Sequence, residues 1–261
     1  MIKIPKEFFP KFECDLIRLG NQHDGGYVVS KKSIENSKQL ITFGLSNDWS
    51  FESSYSLMTN NKISCYDLSV NNFYWIKDFI KSLIKILLCD QIKKNLKNLF
   101  IFFEYKNFFR GKNFHFKKFI FPLENRKNSY KPNEITDLNE ISKNTEDEFY
   151  LKIDIEGAEY RILDQIIKNQ NLICGLSIEF HDFDIHIELI KKFIGSLDME
   201  IVHIHVNNFG ILNKYSIPSV VEISFAKKDF IDLKTSNIKS YPLELDKPCN
   251  MNYKDDDISF Y

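Results

Sequence analysis

Two carboxylates, Asp154 and Glu156, stand at the end of a short apolar run in this chain. Residues 149–155 alternate in the way typical of a buried strand, and Gly157 permits a sharp turn after them. Residues 158–168 then have the spacing of an amphipathic helix. Ligands of open α/β sheets bind at the carboxyl ends of strands, so the pattern predicts a functional site at these acids. The alternative is that they cap the helix and complement its dipole.

A second candidate site combines a glycine loop with an acid. Residues 39–43 read as a strand that leads into Gly44 and a loop of small residues, and a further strand ends at Asp67, 23 positions after Gly44. A glycine at a strand end lets a ligand approach the backbone closely. An acid ending the second strand is placed to accept hydrogen bonds from ribose hydroxyls. Together they indicate an adenosine-type ligand, and the missing three-glycine pattern disfavours a nicotinamide-dependent oxidoreductase.

Two histidines, His203 and His205, carry a competing hypothesis. They lie two positions apart in a predicted strand and therefore face the same way, as zinc ligands often do. With Asp154 and His181 they would form a metal-dependent hydrolase site.

A turn near the start of the chain supplies candidate substrate contacts. Asp24, Gly25 and Gly26 lie between two short extended pieces, which predicts a hairpin. Arg18 would lie near that turn and could pair with an anionic group.

The elements that must position these residues alternate between strands and helices, which predicts a mostly parallel, doubly wound sheet. Residues 71–113 interrupt the alternation with two helical patterns, read as an insertion that packs on the sheet or on a second subunit, giving a possible homodimer. A basic amphipathic helix can also lie on a membrane, but the stripe has the ordinary width of a buried face. The tail from residue 227 has weak periodicity and is expected to be peripheral.

Composition describes an ordinary globular chain. Of 261 residues, 43% are hydrophobic and 27% charged, and the net charge of −1 gives no argument for a nucleic-acid partner. The start has no signal-peptide run, and no stretch approaches the roughly 20 apolar residues of a membrane span. The five cysteines have no metal-site spacing. Reduced thiols in a cytoplasmic protein are the simplest account.

Three stretches together resemble the FkbM-type S-adenosylmethionine-dependent methyltransferases. The most specific is 149–163, with its Lys-Ile-Asp-Ile-Glu-Gly-Ala-Glu core. Residues 43–52 are similar to the cofactor loop of one branch of that family, although the repeated glycines are missing. Residues 203–209, followed by 217–222, are similar to that branch's C-terminal pattern. The resemblance covers roughly residues 18–225, and the insertion departs from a minimal methyltransferase domain.

The resemblance implies methyl transfer from S-adenosylmethionine to a hydroxyl, commonly on a sugar or a polyketide-type product. The Gly44 loop would hold the methionine part of the cofactor, Asp67 the ribose hydroxyls, and Asp154 would lie beside the sulfonium and the acceptor. The candidate cofactor residues are Gly44, Ser46, Asn47, Asp48, Glu52, Asp67, Leu68 and Asp154.

A sugar hydroxyl is a poor nucleophile and benefits from a base. His181, at a strand tip, is the preferred base, with Asp154 and Glu156 as further catalytic residues. Alternatively, Mg²⁺ or another hard cation binds to Asp154, Glu179 and Asp182 and lowers the pKa of the hydroxyl. His181 could also simply be satisfied by a neighbouring acid.

We therefore expect an α/β protein with the class I methyltransferase fold, a Rossmann-like, doubly wound, mostly parallel sheet with a helical insertion. It would form one domain over residues 1–261, with an N-terminal segment 1–38. The expected activity is O-methylation of a carbohydrate or nucleotide-linked sugar. An inactive domain that binds S-adenosylmethionine is a further alternative. The candidate substrate contacts are Arg18, Asp24, Tyr27, His205 and Asn207.

Overall fold

The computed structural model describes residues 1–88, 92–122, 131–145, 147–238, 240–255 and 257–261, and only the backbone of residues 93–95, 97–99 and 132. The strands are β1 Ile2–Ile4, β2 Phe12–Glu13, β3 Leu16–Leu19, β4 Tyr27–Ser30, β5 Gln39–Phe43, β6 Lys62–Tyr66, β7 Asn113–Phe116, β8 Phe119–Ile120, β9 Ile135–Thr136, β10 Phe149–Ile153, β11 Ile173–Phe180, β12 Met199–Val206, β13 Val221–Lys227, β14 Asp232–Thr235 and β15 Ile258–Phe260. The helices are α1 Lys31–Asn36, α2 Ser50–Thr59, α3 Asn72–Leu87, α4 Ile92–Phe108, α5 Leu138–Lys143, α6 Leu163–Asn169 and α7 Phe183–Ser196.

A seven-stranded sheet forms the centre, in the order β12-β13-β11-β10-β5-β6-β7. All its strands run parallel except β13, which is antiparallel to both of its neighbours. The chain builds outward from β5 to β7 on one side and from β10 to β11 on the other. The topological switch point therefore lies between β5 and β10. This is the Rossmann-like sheet of the class I methyltransferase fold, and the predicted fold class is confirmed.

The three central strands have apolar side chains on both faces because helices cover the sheet on both sides. Every residue of β5, β10 and β11 is buried. Ile41 and Leu151 belong to one apolar cluster, whereas Leu40 and Tyr150 belong to a second cluster on the opposite face. The near-continuous apolar runs in the sequence are thus the two-sided burial of parallel strands.

The element after β10 differs from the helix predicted over 158–168. The chain first makes a short 3₁₀ turn over Glu159–Arg161, and α6 begins only at Leu163. The side chain of Glu159 turns inward, where it accepts hydrogen bonds from the backbone N–H groups of Gly157 at 2.9 Å and His181 at 2.7 Å. This tighter turn places the Glu159 side chain next to the residue that follows β11, His181.

The predicted hairpin near the start of the chain is confirmed, whereas the prediction for the C-terminal tail is wrong. The predicted hairpin exists, because β3 and β4 pair antiparallel with Leu19 opposite Tyr27. The tail is not peripheral: Tyr241, Asp246 and Cys249 are at most 5% exposed. They pack beside β12, whose buried histidines need polar partners. No described helix is long and apolar enough to cross a membrane.

Gly44 lies where the end of β10 crosses the loop after β5. Its φ is +84°, and a Cβ there would stand 1.6 Å from the carbonyl oxygen of Asp154. Gly157 also has a positive φ, +94°, but a Cβ there would meet no described atom within 4 Å. A comparison of the two glycines therefore separates the energetic cost of a positive φ from the cost of steric overlap with the backbone.

Gly157→Ala should lower the free energy of unfolding by about 1–2 kcal/mol, from the positive φ alone. Gly44→Ala should cost roughly a further 1–3 kcal/mol, because the backbone of Asp154 must also move. Urea unfolding of both variants measures the difference. Equal losses in the two variants would contradict the close approach at Gly44.

Candidate active site

Two cavities meet at the carboxyl edge of the sheet. The acidic cavity has a volume of about 420 Å³ and contains these predicted residues: Asp24, Ser46, Asn47, Asp48, Glu52, Asp154, Glu156, Glu179, His181 and Asn207. The glycine-loop cavity, of about 380 Å³, contains Gly44, Ser46, Asp67, Asp154 and Glu156. Leu45, Ser46, Asp154 and Glu156 line both cavities. The structure therefore brings the two predicted sites together at one edge.

Three loops at this edge hold a non-glycine residue at positive φ. Ser46 follows β5 with φ +50°, Glu156 follows β10 with φ +53°, and Asp182 follows β11 with φ +51°. Such conformations cost energy and cluster at functional sites. All three lie in consecutive loops around the switch point, which agrees with a site there.

Asp67 organises the glycine loop. Its Oδ2 accepts hydrogen bonds from the N–H groups of Leu45 and Ser46, both at 2.9 Å, and its Oδ1 accepts one from Ser69 at 2.7 Å. Burial alone would raise the pKa of Asp67, but these hydrogen bonds hold it below its usual value. A carboxylate has about four acceptor positions, so this network leaves little capacity for a ligand.

A row of ionisable side chains crosses the sheet beneath the acidic cavity. Glu179 of β11 lies opposite Glu222 of β13, which lies opposite His205 of β12. Asp154, just past the end of β10, continues the row on the other side. Burial and then the charges of Asp154 and Glu222 together raise the pKa of Glu179 to about 8. Glu179 is therefore poised to exchange a proton near neutral pH.

Two neutral side chains hold Glu179 in place. The Tyr27 hydroxyl donates to Glu179 Oε2 at 2.9 Å and lies 3.3 Å from Asp154 Oδ2. Asn207 donates through Nδ2 to Glu179 Oε1 at 2.9 Å. Tyr27, predicted as a substrate contact, is buried and does not line either cavity, whereas Asn207 lines the acidic cavity.

Lys152 is a site residue that sequence reasoning missed. It is 6% exposed, its Nζ lies 3.9 Å from Asp154 Oδ2, and it stands 4.9 Å over the ring of Tyr27. Burial would lower the pKa of Lys152, but Asp154 and Glu52 raise it above the usual value. The available signal was a single charged residue inside the otherwise apolar β10.

His181 is surrounded by carboxylates. Its Nδ1 lies 3.3 Å from Glu159 Oε1, and its Nε2 lies 3.3 Å from Glu156 Oε2 and 3.7 Å from Glu179 Oε1. Burial would lower the pKa of His181, but the hydrogen bond and charge of Glu159 raise it to about 9. A ring with this pKa carries its proton at neutral pH and must release it before it can accept another, so the role of His181 as general base stays a prediction. Glu159, fully buried, is the second residue that the sequence did not reveal.

The predicted cation ligands Asp154, Glu179 and Asp182 do not form one close group. Among the described residues, the groups whose possible ligand atoms lie within 4.8 Å of one another are Asp154, Glu156 and His181 in the acidic cavity, and the buried His205, Glu222 and Cys249. Glu179 and Asp182 are in neither group. Since a protonated imidazole cannot ligate a metal, His181 would first have to release its proton.

The predicted hydrolase site is not assembled. His203 Nε2 lies 3.1 Å from Asp246, and the two nitrogens of His205 lie 3.1 Å from Glu222 and 3.2 Å from Asp255. Both rings are 2% exposed and face the C-terminal tail. No described metal group joins them to Asp154 or His181. The same burial contradicts the prediction that His205 contacts substrate.

Three further predicted residues have distinct places. Arg18 donates through Nε to the carbonyl of Asn21 at 3.0 Å and through a terminal nitrogen to that of His23 at 2.9 Å, so it braces the hairpin loop and lines neither cavity. Leu68 also lines neither. Asp24 lines the acidic cavity, where burial and then the charge of Glu222 raise its pKa.

Similarity to known proteins is remote. No protein-family model and no curated protein matches the chain. A Pyrococcus horikoshii protein, provisionally described as an RNA methyltransferase, is 13% identical over 74% of this chain and 76% of its own, with a TM-score of 0.40. A Streptococcus thermophilus rRNA methylase is 9% identical over 75% and 90%, with a TM-score of 0.38. The fibrillarin pre-rRNA processing protein of Methanococcus jannaschii is 11% identical over 75% and 69%, with a TM-score of 0.36. Likenesses this weak carry no argument about activity.

The charge of His181 can be measured directly. NMR titration of histidine-labelled protein should give His181 a pKa of about 9, with His115 as an internal control whose pKa burial lowers. Glu159→Gln should lower the pKa of His181 by about one unit or more. Glu156→Gln should lower it less, because Glu156 is exposed and solvent screens its charge. An ordinary pKa for His181 in the wild type would contradict this assignment.

Proposed function

We propose that the chain is an S-adenosylmethionine-dependent methyltransferase of the FkbM type, which methylates a hydroxyl of a carbohydrate or nucleotide-linked sugar. The observation that carries the proposal is the junction of the two cavities at Asp154 and Glu156, at the switch point of a class I sheet. A cofactor on the glycine-loop side would meet an acceptor on the acidic side at that junction.

The chemistry of the lining fits this cofactor. S-adenosylmethionine carries two cations, a sulfonium and an ammonium. The acidic cavity is lined by six acids and by two cationic residues, Lys152 and His181. One buried oxygen of Glu52, Oε1, has no hydrogen-bond partner among the described residues. Burial raises the pKa of the Glu52 carboxyl, and the charge of Lys152 opposes that rise.

The cofactor would supply an electrophilic methyl group. The protein would orient the acceptor hydroxyl and remove its proton. We assign the proton to Glu179, because a carboxyl with a pKa of about 8 is a stronger base than an ordinary carboxylate and is ionised in part of the molecules near neutral pH. Asn207 and Tyr27 would hold that carboxylate, and the neighbouring His181 cation would favour its charged form. Asp154, beside both cavities, would complement the cationic cofactor.

The acidic lining also selects among acceptors. Carboxylate and amide oxygens of Asp24, Asp48 and Asn207 accept hydrogen bonds from sugar hydroxyls. They would repel a phosphate-rich polymer such as RNA. Arg18 is already bound to loop carbonyls. A nucleotide-linked acceptor would therefore present its sugar to the acidic cavity and keep its diphosphate outside.

Cofactor binding tests the class of the protein. Calorimetry should show micromolar binding of S-adenosylmethionine and S-adenosylhomocysteine, in chelator and with Mg²⁺. Asp154→Asn should weaken binding of the cationic methionine form about tenfold more than that of the neutral product, a difference of about 1.4 kcal/mol. Asp164→Asn, an exposed change of the same chemistry, should alter neither. Failure of both ligands to bind the wild type would refute the proposal.

Turnover tests the role of Glu179. Methyl transfer to a panel of sugars, followed by mass spectrometry, should become faster as the pH rises through about 8, because the base must be deprotonated. Glu179→Gln should lower the rate by about 10²–10⁴ and remove this pH dependence, with cofactor affinity retained. A variant that keeps the wild-type profile would exclude Glu179 as the base.

A further inference from the structure

The helical insertion leaves a wide apolar stripe exposed. On α3 the stripe consists of Phe73, Ile76, Ile80, Ile84 and Leu87, which are 51–82% exposed. These positions recur every three or four residues and therefore share one face of the helix. The buried residues of the same helix, Trp75 and Ser82, lie on another face. The stripe is additional to the face that packs on the protein.

The second helix extends this surface. Ile92, Leu96, Phe100 and Phe103 of α4 are 42–64% exposed and again recur at helical spacing. An apolar groove of about 460 Å³ runs between the helices and is lined by residues of both stripes, among them Ile76, Ile80 and Phe103. Helices α3 and α4 pack together as a helical hairpin. The two stripes and the groove form one surface of it, which we call the hairpin face. Exposed apolar surfaces of this extent mark interaction sites.

Positive charge accompanies the hairpin face. Lys77, Lys81 and Lys85 are spaced four residues apart and form a row along the edge of the α3 stripe. Residues 71–118 contain eleven lysines and arginines against three acids, a net charge of +8 in a chain whose total is −1. The hairpin is therefore a basic element on an otherwise acidic protein.

We propose that the hairpin face docks on an anionic lipid surface, with the axes of α3 and α4 lying in the plane of the interface. A helix with an apolar face and flanking lysines buries the former among acyl chains, while the lysine stems reach headgroup phosphates. The net charge of +8 complements anionic lipid and opposes pairing with a second copy, which would bring the same charge. Exposed isoleucine and leucine have no partner on RNA, whereas acyl chains match them.

The helical hairpin packs against a loop at the carboxyl edge of the sheet. Tyr105 of α4 packs against Trp75 of α3, with ring centroids 4.7 Å apart, and against Trp49 at 5.8 Å. Trp49 directly precedes α2, at the end of the loop that begins with Gly44. A docked hairpin would thus hold the cofactor loop close to the membrane. This inference does not depend on the proposed methyl transfer.

Co-sedimentation of the full chain with vesicles tests the proposal. Vesicles of phosphatidylcholine with about one third phosphatidylglycerol should retain the wild type, and pure phosphatidylcholine should not. Lys77→Glu with Lys81→Glu should lower the partition coefficient by about 25-fold or more, because each lost lysine costs about fivefold and anionic lipid repels each new carboxylate. Ile80→Asp with Ile84→Asp should lower it more than tenfold, because two apolar side chains no longer leave water.

Matched variants on another surface serve as controls. Lys192→Glu with Lys214→Glu makes the same change of net charge, and Ile185→Asp with Leu189→Asp places two acids on the exposed face of α7. Both should partition within twofold of the wild type, and all variants should melt as cooperatively as the wild type. Partitioning that ignores lipid charge, or that the α7 pair abolishes equally, would overturn the proposal.

Two other occupants give recognisable results. A dimer in sedimentation equilibrium that Ile80→Asp with Ile84→Asp dissociates, without vesicle binding by the wild type, would show that a second copy covers the face. Binding of a labelled RNA oligonucleotide that depends on Lys77 and Lys81, again without vesicle binding, would show a nucleic-acid surface. Either result would overturn the lipid assignment.

Discussion

Repulsion among closely placed carboxylates is the constraint on which the carboxyl edge of the sheet depends. Asp154, Glu179 and Glu222 stand side by side on neighbouring strands, and like charges on adjacent strands destabilise a sheet. In a poorly solvated site such groups must be paired, hydrogen-bonded or protonated. Burial first, and then the charges of Asp154 and Glu222, raise the pKa of Glu179. The property that suits Glu179 to proton transfer therefore comes from its burial and its neighbours together.

Several segments that are distant in the sequence pack over this row and supply hydrogen-bond partners to its side chains. The β3–β4 hairpin brings the Tyr27 hydroxyl to Glu179 and Asp154. The C-terminal tail brings Cys249, whose thiol donates to Glu222 at 3.5 Å, and Asp255, which lies beside His205. The tail is thus part of the electrostatic structure of the sheet. Its weak periodicity gave no sign of this, because single polar contacts leave no repeating pattern.

The sequence was informative where periodicity and strand ends decide the structure. Parallel strands end at one edge, so Gly44 and Asp154 could be placed together without knowledge of any contact. The sequence was uninformative where the environment of a side chain depends on a residue from another segment of the chain. The charge of His181 depends on Glu159, 22 residues away across a turn that did not form as a regular helix. The residue type of Arg18 suggested that it could bind an anion. In the structure its N–H groups donate instead to the nearby carbonyls of Asn21 and His23.

The insertion shows the same limit for apolar residues. A helical period in α3 fixes which side chains share a face, but it does not say what covers that face. In the structure the narrow side with Trp75 and Ser82 suffices to attach the hairpin, and the broad side with Ile76 and Ile80 is left exposed. Because burying a side chain of this size is worth about 1.5–3 kcal/mol, several such residues in water imply a missing apolar partner. The lysine row beside them indicates that this partner carries negative charge.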